Sequence, residues 1–139
     1  MGIRSSEHLT PGTIYSREQL KELFGISDAT INTGVFRPHG HDSVWLFVTE
    51  DKTPDRTQYR DELIGDELHW EGQSAGRTDR LIVEHRINGL ELLLFRRKRK
   101  YEHPNAGFRY EGTFEYICHA PGDASRKKPS RFVLRRLQL

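Results

Sequence analysis

At 139 residues, with 35% hydrophobic and 30% charged residues, the chain is long enough for one domain with a modest core and too short for two. No apolar run is long enough to span a membrane, the Met1-Gly2-Ile3-Arg4-Ser5 start lacks a secretory apolar segment, and a single cysteine, Cys118, excludes an internal disulfide, so a cytoplasmic protein is expected. The net charge of +2 conceals a division: residues 1–92 carry 10 Lys/Arg against 16 Asp/Glu (net −6), and residues 93–139 carry 12 against 4 (net +8).

Residues 1–15 read as an N-terminal arm broken at Pro11-Gly12, and residues 16–139 as the domain. Ser16-Arg17-Glu18-Gln19 fits a capping box, Leu20, Leu23 and Phe24 recur at helical spacing, and Gly25 suits a stop, which predicts a short helix. Leu20 to Ile31 also resembles the opening of a helix-turn-helix, but Thr33, Gly34 and Pro38 fall where its recognition helix must be continuous. From Gly34 onward the pattern is strand-like, with Asp42 to Glu50 a buried core strand rich in β-branched and aromatic residues. Further strands are predicted at Glu67 to Glu71, Arg80 to Arg86, Glu91 to Arg97, Tyr110 to His119 and Arg131 to Leu137, with Asn88-Gly89 as a hairpin turn. Thr53 to Gly65 and Gly72 to Asp79 are polar connections. Many strands and one or two short helices indicate an α+β domain built on a curved, barrel-like sheet.

Two aromatics, Tyr59 and Trp70, bracket the carboxylate Asp61 and are followed by Glu71 and Gly72. Such a set can hold a flat polar ring, stacking on its faces while an acceptor-only carboxylate takes the exocyclic amine of cytosine. The same spacing also suits a core tryptophan, a surface tyrosine and a loop aspartate with no common purpose. The basic clusters Arg96-Arg97-Lys98-Arg99-Lys100 and Arg126-Lys127-Lys128 are interleaved with Phe95, Tyr101, Phe108 and Tyr110, a mixture that suits nucleic acid. Arg96 to Lys100, together with Arg109, are expected on DNA phosphates, with His39 and His41 beside them. The pair His39/His41 lacks a third ligand at sensible spacing, and Ser74, Thr78 and His85 form no nucleophile arrangement, so no metal, cofactor or catalytic residue is expected.

Read together, residues 32–137 resemble an SRA (SET and RING-associated) domain. The resemblance rests on six segments in order: Thr33 to His41, the strand Asp42 to Glu50, Tyr59-Arg60-Asp61-Glu62, His69-Trp70-Glu71-Gly72-Gln73-Ser74-Ala75-Gly76, Phe108 to Phe114, and Phe132 to Leu137. It is nearest to the SRA-like modules of prokaryotic modification-dependent (type IV) restriction enzymes. The resemblance implies a PUA-superfamily-like barrel that binds duplex DNA and flips 5-methylcytosine, or a related C5-modified cytosine, into a pocket of Tyr59, Asp61, Trp70, Glu71 and Gly72. Val35 is the implied apolar wedge, with Arg77 or Arg37 filling the vacated hole. Glu71 departs from the hydroxyl residue often found there, and the segment after Gly76 is shorter than the eukaryotic finger. The implied protein is a nucleoid-associated reader without its own activity, served by a nuclease or helicase subunit or fused domain. The alternatives are a PUA-like module for RNA or single-stranded modified bases, and a small nuclease or hydrolase acting on a flipped nucleotide.

Overall fold

The structure, a computed structural model, describes residues 3–27, 31, 34–50, 62–71, 79–120 and 131–137. It is mostly β-sheet with two short helices, an α+β arrangement. The strands are β1 (Ile14–Tyr15), β2 (Val35–Phe36), β3 (Ser43–Thr49), β4 (Glu62–Ile64), β5 (Glu67–Glu71), β6 (Glu91–Arg97), β7 (Phe108–Ala120) and β8 (Arg131–Arg136). The helices are α1 (Arg17–Phe24) and α2 (Asp79–Val83). The sheet order is β2-β3-β6-β7-β8-β5-β4, with β1 pairing separately to β7. Strands β3 and β6 run parallel in register from Ser43↔Glu91 to Thr49↔Arg97, and the other pairings between these strands are antiparallel.

The parallel pair lies between two cores, which explains its continuous apolar text. Val44, Leu46, Val48, Leu92 and Leu94 face one core with Leu68, Trp70, Ile82, Phe132 and Leu134. Trp45, Phe47, Leu93 and Phe95 face the other with Leu20, Phe108 and Tyr110. Helix α1 forms as its sequence predicts. Ser16 accepts the Gln19 amide, the Gln19 side chain returns to the Ser16 amide, and Gly25 ends the helix in the left-handed region at φ 64°. Its one fully buried side chain, Leu20, anchors it to the second core, and Leu20→Ala would cost about 2–5 kcal/mol.

Two expectations are corrected. Arg80 to Arg86 is not a strand, because Asp79–Val83 forms α2. Ile82 inserts into the first core and Arg80 pairs with Glu84 one turn on, so tertiary packing overrides the β-propensity of Leu-Ile-Val. Asn88-Gly89 is consequently no hairpin. Their amides donate to Glu84 and Arg86 carbonyls (3.0 and 3.1 Å), closing helical turns that deliver the chain into β6. The described part of the arm is built into the body. Ser5 is buried, its amide donates to Ser43 Oγ (3.1 Å), and its hydroxyl lies 2.7 Å from His41 Nδ1 and accepts the Trp45 indole N–H (3.0 Å).

Among the described residues the sheet does not close into a barrel: β2 and β4 remain its two ends. Register shifts at Leu94/Phe95 and Tyr116/Cys118 bend it. The Leu63 amide of β4 donates to the Glu50 carboxylate (3.0 Å), just past the end of β3. A side chain therefore connects two sheet regions that no strand ladder joins among these residues. No helix in the described residues is long and apolar enough to cross a membrane.

Candidate nucleic-acid interface

Where β4, β5, β7 and β8 meet, they border a cleft of about 500 Å³. Strand register sorts its lining into two rows. Trp70 opposes Phe132, which opposes His119; in the adjacent row, on the other face, Glu62, His69, Val133 and Cys118 follow one another across four strands. A largely aromatic and aliphatic lining with a few polar groups suits a flat, partly polar ligand. The Trp70 and Phe132 ring centroids are 5.3 Å apart and tilted by 39°. His119 stacks on Phe132 at 5.3 Å and 19°, and its Nδ1 lies 2.6 Å from the Tyr116 hydroxyl.

The expected base pocket is described only in part. Trp70 borders the cleft but is 5% exposed and belongs to the first core, so it is foremost a packing residue. Glu71 pairs through its backbone with Arg131 at the end of β5, and its side chain lies outside the described residues. Tyr59, Asp61, Gly72 and Arg77 also lie outside them.

Several expected DNA-contacting residues are engaged within the fold. Val35, the implied wedge, is buried in β2, paired with Leu46, and packed in the first core. His41 is buried against Ser5. The Ser5 hydroxyl, which accepts the Trp45 N–H, thus also engages His41 Nδ1. Burial first, and His8 second, lower the His41 pKa, while Glu91 opposes them. Arg97 is buried beneath the basic loop. It donates to Thr49 Oγ1 (2.8 Å), Lys100 O (3.3 Å) and Ala106 O (2.8 Å), and its guanidinium lies 4.1 Å from the centre of the Phe108 ring. Arg96 donates to Glu50 (2.6 Å) and Glu111 (3.2 Å). Burial alone would lower its pKa, but these carboxylates reverse the shift and raise it.

Arg109 and Arg136 also reach Glu111, at 2.7 and 3.1 Å, so three guanidinium groups surround one buried carboxylate. Arg109 remains partly accessible despite that bond. Lys98, Arg99, Lys100, Arg37 and His39 are exposed. The first three occupy the turn after β6 beside Tyr101, which is 78% exposed with Lys100 Nζ 5.4 Å from its ring centre. The turn is held in shape by Arg97 beneath it and by the Lys98 amide donating to Glu102 (2.9 Å). That hydrogen bond is the main cause of the lowered Glu102 pKa. The sequence reading missed Tyr116 and His119, whose only cue was an aromatic and an imidazole three residues apart at a strand end. Among the described residues no group of three His, Cys, Asp or Glu side chains is placed to hold a metal.

No protein-family profile matches the chain, and no curated protein matches it. A solved structure of a modification-dependent TagI restriction endonuclease is similar, with a TM-score of 0.54 and 18% sequence identity. The match covers 94% of this chain and 50% of that one, so this chain spans about half that structure's length. At this identity the likeness is one of fold.

Proposed function

We propose that this chain is a modified-DNA reader: it binds duplex DNA containing 5-methylcytosine or a related C5-modified cytosine and takes the base out of the stack. It acts as the recognition module of a modification-dependent restriction system, with cleavage in a separate domain or partner. The supporting observation is the fold shared with half of a modification-dependent endonuclease. An aromatic-lined cleft at one end of the sheet and an exposed basic turn elsewhere are consistent with that role.

Extruding a base costs a few kcal/mol of pairing and stacking, and each aromatic stack returns about 1–3 kcal/mol. Asp61 would accept the exocyclic amine of cytosine and repel the carbonyl of thymine, while Tyr59 and the Trp70 edge would flank the ring. Lys98, Arg99, Lys100 and Arg109 would neutralise phosphates without reading sequence.

The test is a binding panel of otherwise identical duplexes carrying cytosine, 5-methylcytosine or 5-hydroxymethylcytosine. Tighter binding to a modified member is expected; equal affinity for all three, or stronger binding to structured RNA, rejects the proposal. Asp61→Ala should remove the preference and leave weak, salt-sensitive binding. Trp70→Ala is the poorer probe, because truncating a core tryptophan costs about 3–5 kcal/mol of stability.

A further inference from the structure

The row Trp70–Phe132–His119 runs from core to surface: Trp70 and Phe132 are buried, and His119 is exposed. A base entering the cleft requires an aromatic face that the fold has not already covered. Among the described aromatic and imidazole side chains bordering the cleft, His119 alone combines exposure with the Trp70 and Phe132 face of the sheet. His69 is also exposed, but it belongs to the opposite row and lies 3.5 Å from Glu67.

The His119 ring has two restraints. Phe132 supports one face at 5.3 Å and 19°, and the Tyr116 hydroxyl lies 2.6 Å from Nδ1. Tyr116 is itself packed against the first core. An imidazole held this way gives up little further rotamer freedom when a ligand arrives, which favours binding.

We infer that His119 is the stacking platform for the modified base and therefore a specificity-determining residue of the cleft. Phe132 supports it from below and Tyr116 fixes its rotation; Trp70 closes the core behind the row. This role rests on the modified-cytosine reading proposed above. It differs from that reading's original pocket by moving the open aromatic face from β5 to the end of β7.

The experiment measures affinity for a 5-methylcytosine duplex and its unmodified twin, using wild type, His119→Ala, His119→Phe and Tyr116→Phe. Losing one base stack should weaken His119→Ala on the modified duplex by roughly tenfold and leave the unmodified duplex unchanged. His119→Phe, which keeps a stacking face without ring nitrogens, should recover affinity to within about threefold of wild type, and Tyr116→Phe should lie between wild type and His119→Ala. Thermal unfolding of each variant checks that it remains folded. An unchanged His119→Ala, an equal loss on both duplexes, or a folded His119→Phe as weak as His119→Ala overturns the platform role while leaving modified-DNA recognition intact. Failure of the wild type to distinguish the duplexes rejects the underlying reading, and the platform role with it.

Discussion

His85 is buried with both ring nitrogens engaged: Nδ1 donates to the Leu90 carbonyl at 2.8 Å, and Nε2 accepts the Tyr116 amide at 3.1 Å. Only a neutral ring can do both, since a protonated Nε2 would confront another N–H. Burial is the largest cause of its lowered pKa; the Leu90 bond opposes the shift and Arg86 reinforces it. His41 shifts in the same direction. For a histidine with a lowered folded-state pKa, the stabilisation is fully present above the unfolded value of about 6.5 and is lost as pH falls below it toward the folded value. Thermal unfolding midpoints should therefore hold steady between about pH 7 and 8 and decline on acidification below about 6.5. His85→Gln should lower stability at pH 7 by about 1–3 kcal/mol and reduce the acid slope, because it leaves a buried group unsatisfied and removes a titrating one. An unchanged acid slope would assign the decline elsewhere, with His41 the first alternative.

Carboxylates connect strands that the backbone ladder leaves apart. Glu50 links the β4 amide of Leu63 with Arg96 of β6, while Glu111 of β7 gathers Arg96, Arg109 and Arg136. Truncating Glu111 would leave three cations around an empty buried position, so Glu111→Ala should cost about 3–5 kcal/mol in urea unfolding. A loss below 1 kcal/mol would show that solvent already screens the cluster. These links explain which elements were legible in the sequence. Strands β3 and β6 were recognisable because burial on both faces demands unbroken apolar text, and α1 because its cap and stop are local chemistry. Helix α2 was not, since Ile82 is helical through packing that no local pattern records. At the cleft, Trp70 packs against Phe132, sixty-two residues away in the chain, a contact no local pattern records. Arg96 and Arg97 looked like surface charge because their partners Glu50, Glu111 and Thr49 are distant in sequence from at least one of them.

At the scale of the whole molecule, the proposed binding features occupy different places on the sheet. The basic turn joins β6 to β7, whereas Cys118, His119 and Ala120 bring the far end of β7 to the cleft. Replacing Lys98, Arg99 and Lys100 with glutamine should weaken modified and unmodified DNA alike and flatten the salt slope by up to about 3. Loss confined to the modified duplex would contradict a phosphate-positioning role. The thirteen residues of β7 also make a ruler: fully extended they span at most about 40 Å, and the shift at Tyr116/Cys118 shortens the direct path. One turn of duplex occupies about 34–36 Å, so on the proposed reading the strand would set a footprint on the order of ten base pairs. Affinity should rise as duplex is added to the appropriate side of a modified cytosine and level off near that length, with the gain abolished by the triple glutamine variant. Equal affinity for duplexes truncated beside the modified base would mean that the two ends of the ruler do not hold the same DNA.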